Sequence, residues 1–302
     1  MKKVLILSSA ENDHFLKSLH KFVDELNQRS QAQVKFSYAT YRDLSLEIIN
    51  GNLTVSESLK GQPLDIYDLV FFKSFVRYEE IASLAVEFLK IRKIPFVCSE
   101  LNSYVSQTKL TQYARLAGAG LLVPDSYYEN SSRLASQWTK LVKLLGESLI
   151  VKAVDGMGGS TNYFVENEAE FKKAFSDNPK RALICQRFIP NEYDLRLIVA
   201  NSRVRLVIKR QRQPGSGHLN NTSQGGHASL VDLASLDPGT IQIAEKAAAV
   251  FNREFAGVDI LFDPKGSPVI LEVNTSPQIA TGSFTKEKLD IYASELINLL
   301  EK

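Results

Sequence analysis

Cysteine is scarce in this 302-residue chain: Cys98 and Cys185 stand far apart, with no histidine or second cysteine at ligand spacing. That scarcity argues against a disulfide framework or a structural zinc site, and a reducing compartment, the cytoplasm, is the expectation. Long apolar runs are missing too, since no segment approaches the ~20 apolar residues of a membrane span. Lys2 and Lys3 precede an apolar run at residues 4–7, but polar Ser8, Ser9, Glu11 and Asn12 follow at once. The run is too short for a secretion signal and reads as a buried first strand. Charge of one sign is absent as well. With 36 basic and 34 acidic residues the formal charge is +2, too little for a global field that would draw nucleic acid or a membrane surface. Anion recognition must be local.

Glycine is absent where two common nucleotide motifs would need it. The turn after the first strand, Ser8-Ser9-Ala10-Glu11-Asn12, contains none, so the dinucleotide-binding fingerprint fails where it should be strongest. A later glycine run at residues 156–159 is not closed by Gly-Lys-Ser/Thr, which excludes a P-loop. No internal repeat or low-complexity tract is present.

What is there has the balance of a globular chain, 44% hydrophobic and 23% charged. Its length suits two or three lobes rather than one core. Residues 4–7, 34–38, 68–73 and 94–97 read as strands, and helical spacing of apolar residues runs over 13–27 and from Ile81 to Leu89. Alternation of this kind predicts an open α/β domain over residues 1–105. Helices are expected at 107–117 and 134–145, strands at 149–152, 163–165 and 183–189, and a further helix at 168–175. Strands at 194–199 and 204–209 should pair through a turn at Asn201-Ser202. A polar, glycine-bearing loop follows over 211–226. A helix at 241–251, a hairpin of 257–262 with 269–274 and a closing helix at 289–300 complete the pattern.

Three groups of residues carry chemistry. Lys152 ends a strand and is followed by Gly156-Met157-Gly158-Gly159-Ser160; backbone N–H groups of such a loop can wrap phosphate oxygens while the lysine supplies a point charge. The same residues taken alone also fit a plain hairpin turn. Asp259, Glu272 and Asn274 lie in apolar strand contexts, and the last two, being two residues apart, share a face. Carboxylates in such strands are costly unless paired or metal-bound, and two carboxylates with an amide oxygen suit Mg²⁺ held between protein and phosphates. A hydrogen-bonded structural pair is the competing reading. Finally, Lys209, Arg210 and Arg212 precede Asn221-Thr222-Ser223-Gln224-Gly225-Gly226, which could hold an anion or form a solvated basic face and loop.

In this order the motifs resemble the ATP-grasp superfamily, most closely its RimK-like branch of glutamate-ligase-type enzymes. The matching residues are Lys109, Ile150-Val151-Lys152 with the glycine loop, Gln186-Arg187-Phe188-Ile189, Asp194-Leu195-Arg196, residues 221–226, Val258-Asp259 and Leu271-Glu272-Val273-Asn274. The resemblance covers about residues 105–285. It implies an α/β ATP-grasp fold with an α+β C-terminal part. A pre-grasp domain (1–105) would precede a subdomain carrying the glycine loop (106–186) and one carrying the metal site (187–302). It implies that Lys109 and Lys152, with Gly156, Gly158, Gly159 and Ser160, hold ATP phosphates. The segment Arg187-Phe188, between Gln186 and Ile189, would contact adenine largely through backbone, and Asp194 the ribose region. Asp259, Glu272 and Asn274 would bind Mg²⁺ or Mn²⁺, two ions per site, and Arg196, Lys209 and Asn221 would stand near the γ-phosphate and the reacting carboxylate. Two positions depart from the pattern: Arg187 stands where the branch's namesake has a glutamate, and only His218 and Arg212 lie near the place of an arginine close to Leu219.

The activity so implied is ATP-dependent amide-bond formation between a carboxylate and an amine through an acyl phosphate. The substrates would be an amino acid, such as glutamate, and a peptide or protein tail. Synthesis of a small peptide or metabolite, and a nucleotide-binding regulator without catalysis, are the alternatives. Neither nucleic acid nor membrane is expected as a partner, and look-alikes of this branch are commonly homo-oligomers.

Overall fold

A computed structural model describes residues 1–9, 12–30, 33–103, 108–156, 161–213, 220, 226–275, 277 and 282–301. The first third comprises β1 (Lys2–Ser8), α1 (Asp13–Arg29), β2 (Val34–Thr40), β3 (Leu44–Ile49), β4 (Asn52–Glu57), β5 (Gln62–Pro63), β6 (Leu69–Lys73), α2 (Glu79–Arg92) and β7 (Phe96–Val97). Strands β2-β1-β6-β7 form a parallel sheet in that order. Val4 to Leu7 of β1 are fully buried, as expected of a central parallel strand covered on both faces. Asn12 caps α1 by accepting the Phe15 N–H, and the helix buries Leu19, Phe22, Val23 and Leu26.

Strands β3, β4 and β5 make a separate antiparallel sheet that the sequence reading leaves out. Its hairpin turns at Asn50-Gly51, both at positive φ (51° and 77°), with Ile49 paired to Asn52. An Asn-Gly dipeptide is the strongest short hairpin signal, so the information was present.

The middle of the chain supplies α3 (Lys109–Gly118), β8 (Ser126–Tyr127), α4 (Ser131–Leu134), α5 (Trp138–Leu145), β9 (Leu149–Ala153), β10 (Asn162–Val165), α6 (Glu168–Ser176) and β11 (Leu183–Arg187). The strands form an antiparallel sheet, β10-β9-β11-β8. Two expectations are corrected here. The helix expected over 134–145 is two, because Ser136 and Gln137 donate to carbonyls three residues back and break the regular ladder. The strand expected over 183–189 ends at Arg187, ahead of Pro190, which has no N–H for a ladder.

The last third contains β12 (Tyr193–Ala200), β13 (Arg203–Gln211), β14 (His227–Val231), α7 (Pro238–Val250), β15 (Phe255–Phe262), β16 (Pro268–Asn274) and α8 (Thr285–Leu300). Its antiparallel sheet runs β14-β13-β12-β15-β16. Asn201 and Ser202 make the expected turn, at φ of 47° and 66°. One face of the sheet buries Leu195, Leu197, Val199 and Val207 with Ala244, Ala247, Ala248 and Phe251 from α7 and its end.

Two connections fix how the sheets meet. Helix α3 stitches the middle sheet to the last one. Lys109 N–H donates to the Val154 carbonyl at 3.1 Å, Tyr113 Oη to the Leu271 carbonyl at 2.9 Å, and Gln112 Oε1 accepts the Val273 N–H at 3.2 Å. Helix α8 returns to the first sheet: Tyr292 is fully buried there and stacks on Phe255 at 4.2 Å, while Leu289 and Leu296 join the same core. The C-terminal helix thus completes a core begun by the N-terminal strands. Among the described residues no helix is long and apolar enough to cross a membrane.

Candidate functional site

The β15–β16 hairpin pairs Asp259 with Glu272 and Gly257 with Asn274, with a bulge just after Asp259. Directly opposed residues point the same way, so Asp259, Glu272 and Asn274 share one face, opposite the face packed on α7. Asp259 is not left open. Arg196 Nε and Nη2 donate to its two oxygens at 2.7 Å each, and Arg210 Nη2 lies 3.1 Å from Oδ2. Arg210 Nε donates to Asp194 Oδ1 at 2.6 Å. Two carboxylates and two guanidiniums therefore alternate across β12, β13 and β15. Burial pushes the Asp259 carboxyl up, but Arg196 and Arg210 together hold it below its ordinary value. For Asp194 burial wins over Arg210, and its carboxyl is raised.

Glu272 faces a second group of cations. Lys109 Nζ lies 3.8 Å from Glu272 Oε1 and donates to the Gly156 carbonyl. Lys152, buried on β9, donates to Tyr113 Oη at 2.6 Å, and the Tyr113 hydroxyl in turn donates a hydrogen bond to the Leu271 carbonyl beside Glu272. Burial brings the Lys152 ammonium down to about 8, a shift the Glu272 carboxylate opposes. The Asn274 side-chain nitrogen is buried with no hydrogen-bond partner among the described residues. The helix, the middle sheet and the hairpin thus bring Lys109, Lys152, Gly156 and Glu272 together.

Other expected residues fall elsewhere. Gln186 is buried on β11 and donates to Ser126 Oγ at 2.7 Å. The Arg187 side chain pairs with Asp125 at the surface, 2.8 Å away. Its N–H and that of Phe188 bond to the Asp125 and Ser148 carbonyls, so the carbonyls of this segment are its open polar groups. Phe188 packs edge-on to Phe164 at 4.6 Å, and the Ile189 carbonyl accepts from Asn191. Lys209 is not beside Arg196. It stands opposite Leu195 in the ladder, on the α7 face, with Nζ 4.2 Å from the Tyr193 ring centroid. The strand's alternation sends Lys209 and Arg210 to opposite faces, and Arg210 joins Arg196. Gly158, Gly159, Ser160 and Asn221 lie outside the described residues.

The sequence reading also passed over Tyr113 and Lys288. Tyr113 could have been found, since it follows Lys109 by four residues on a helix and so shares its face. For Lys288, which reaches the Arg196–Arg210 face from α8, no sequence signal exists.

The donor chemistry fits a divalent cation. Glu272 and the Asn274 side-chain oxygen offer hard oxygen ligands on one face; the buried Asn274 nitrogen, a donor, is left to meet an acceptor. Asp259 stands beside them with its oxygens shared by two guanidiniums. An ion held there would complete its shell with phosphate oxygens and water, the usual habit of Mg²⁺.

Comparison with known proteins places the chain among ATP-grasp proteins. The model of the RimK-like ATP-grasp domain matches residues 84–300. A probable alpha-L-glutamate ligase of Desulfotalea psychrophila is 32% identical over 238 residues, covering 74% of this chain and 48% of the relative. The chain spans about half the length of the curated relatives it matches. Among solved structures, the ATP-grasp ligase PsnB complexed with a minimal precursor superposes with a TM-score of 0.70 at 16% identity, covering 100% of this chain and 99% of that one. The D-alanyl-alanine synthetase A of Vibrio cholerae O1 gives 0.70 at 14% identity, covering 99% and 97%. At these identities the structural likeness concerns the fold.

Proposed function

This chain belongs to the RimK-like ATP-grasp family, and from that premise we propose that it is an ATP-dependent carboxylate–amine ligase. A substrate carboxylate oxygen attacks the γ-phosphorus of ATP, the bond to the β-phosphate oxygen breaks, and ADP leaves behind an acyl phosphate. An amine then attacks the acyl carbon and expels phosphate, forming the amide; its surplus proton passes to solvent or base. The observation that carries this reading is the convergence of Lys109 and Lys152 with Glu272 and Asn274, two phosphate-neutralising cations against a hard-oxygen face.

In this reading Lys109 and Lys152 hold the phosphates, helped by the loop at Gly156, and the Arg187-Phe188 backbone flanks adenine. Glu272 and Asn274, with Asp259 behind them, would hold Mg²⁺ or Mn²⁺, one or two ions, which when bound screens the charge building on the transferring phosphoryl group. Arg196, fixed by Asp259, orients the reacting anion. Lys209, on the other face, is left out of the phosphate group. Residues 1–105, 106–186 and 187–302 serve as pre-grasp domain and the two grasp subdomains, with α8 crossing back to the first. The relatives' name makes L-glutamate the first amino acid to test, as the acid or as the incoming amine, and the cytoplasm is the proposed location.

The test is an incubation with Mg-ATP, an amino-acid pool and hydroxylamine as surrogate amine. Hydroxamate formed in step with ADP, and only with a divalent ion, supports the reading. A protein that binds no nucleotide at all overturns it.

A further inference from the structure

Strand β16 is the last in its sheet, and side chains rather than another strand cover its free edge. The Leu271 carbonyl accepts from Tyr113. Two residues on, the Val273 N–H donates to Gln112 Oε1 at 3.2 Å, and the Val273 carbonyl accepts from Arg253 Nη1. An edge strand commonly leaves such groups open; here both backbone groups of one residue are held. That residue stands between Glu272 and Asn274.

Arg253 comes from the turn between α7 and β15 and is itself held. Its Nε donates to Glu100 Oε2 at 2.9 Å, and its guanidinium lies 4.7 Å from the Phe251 ring centroid. The pair is enclosed, with side-chain exposures of 1% for Arg253 and 3% for Glu100. Glu100 belongs to a short 3-10 turn (Ser99–Asn102) that ends the first third of the chain. Glu254, next to Arg253, grips the same turn, its carboxylate accepting the Cys98 N–H at 3.0 Å and the Ser99 N–H at 3.1 Å. Two consecutive residues of the last third therefore clamp one turn of the first, and one of them reaches on to the strand that carries the divalent-ion face.

An ion pair is a poor device for merely joining two parts of a fold. Taking a guanidinium and a carboxylate out of water is costly, and apolar side chains of similar volume often hold as well or better. What they cannot do is donate to the Val273 carbonyl. The arginine fork is planar and rigid, so Nε bound to Glu100 fixes where Nη1 meets that carbonyl. A Val273 peptide free to tilt would turn the side chains on either side of it, and Mg²⁺ demands near-ideal octahedral geometry.

We propose that Arg253, locked by Glu100, is a positioning residue for the divalent ion: by holding the Val273 carbonyl it sets the direction in which Glu272 and Asn274 present their oxygens. The proposal rests on the ligase reading above and on those two residues as ligands. It ties the ion's affinity to the first third of the chain, through Glu100, while Lys109 and Lys152 hold the phosphates independently of it.

The test is calorimetric binding of ADP to the full chain, once with saturating Mg²⁺ and once in EDTA. The ratio of the two affinities is the ion's contribution, since coupling between two ligands is a ratio of this kind. Arg253→Lys keeps a charge opposite Glu100 but lacks the fork. The double variant E100L/R253M removes both charges, so that neither is stranded. In each, the ratio should fall by about tenfold, the range for a lost outer partner of a metal ligand, while ADP affinity in EDTA changes by less than about twofold. Should the double variant fail to fold, Arg253→Lys carries the same comparison. A ratio kept at the wild-type value overturns the proposal. So does an equal loss of affinity with and without Mg²⁺, which would make the pair a strut between parts of the fold. A wild type that binds ADP with a ratio near one removes the metal assignment and the proposal together, and a wild type that binds no ADP sinks the ligase reading itself.

Discussion

Arg196 clasps Asp259 side-on, Nε to Oδ1 and Nη2 to Oδ2, each at 2.7 Å. The pair is nearly closed to solvent, at 18% and 7% side-chain exposure, and Arg210 reaches the same carboxylate from the next strand but one in the sheet. Asp259 thus organises two guanidiniums.

The first prediction concerns that clasp. Asp259→Asn leaves Arg196 and Arg210 facing each other across a neutral amide. Breaking a buried pair from one side costs about 3 kcal/mol or more, so urea unfolding should show a loss of that size. A loss under about 1 kcal/mol, the scale of an exposed pair, would mean that the clasp is solvated and that Asp259 has another duty.

Glu272 should behave in the opposite way. It is a third exposed and its ion pair with Lys109 is long, at 3.8 Å, so Glu272→Gln should leave the Tm within a few degrees of wild type. If it ligates the divalent ion, hydroxamate formation should fall by about a thousandfold or more, as expected when charge stabilisation of phosphoryl transfer is lost. A variant turning over at the wild-type rate would remove Glu272 from the metal site.

These contrasts explain what could be read from the sequence. Glu272 and Asn274 were legible because spacing of two on an apolar strand fixes their common face, and the hairpin register then brings Asp259 opposite Glu272. The Arg196–Arg210 grip was not, because it depends on β12 lying between β13 and β15, a matter of sheet order that local pattern does not encode. Lys209 and Arg210 look interchangeable as neighbours in a basic run, yet the pleat separates them. The hairpin at Asn50-Gly51 was legible and passed over. The place of α8 in the first core was not, since its partners Phe22, Phe71 and Phe255 come from both ends of the chain.

Lys152 gives a prediction in pH. Its ammonium titrates at about 8 when folded against an ordinary 10.5. Between those values the unfolded chain binds more protons than the folded one, so this residue makes stability rise as pH climbs from about 8 to 10.5. Lys152→Met should flatten that rise and stabilise the nucleotide-free protein at pH 7 by roughly 2–3 kcal/mol, the free energy of burying the charge. Tyr113 keeps its bond to the Leu271 carbonyl in the variant. The same change should abolish measurable ATP binding. Urea unfolding from pH 7 to 10 checks the first part and calorimetry the second; a destabilised variant at pH 7 would show that the lysine is a structural strut rather than a charge held ready for phosphate.

Gly257 makes the last prediction. It lies opposite Asn274, and a Cβ there would sit 2.9 Å from Pro277 Cβ and 3.8 Å from Asn274 Cβ. The first distance is shorter than carbon atoms tolerate, and a proline ring has no rotamer with which to yield. Pro277 also lines the pocket that Arg196 and Lys288 share. Gly257→Ala should therefore cost about 1–3 kcal/mol of stability, the range for overpacking, and push Pro277 toward the pocket. In the hydroxamate assay the displacement should reach Asn274, which stands opposite Gly257, so the half-saturating concentration of Mg²⁺ should rise. An unchanged Mg²⁺ requirement in a destabilised variant would mean that the Pro277 ring absorbs the clash alone and that Asn274 keeps its place.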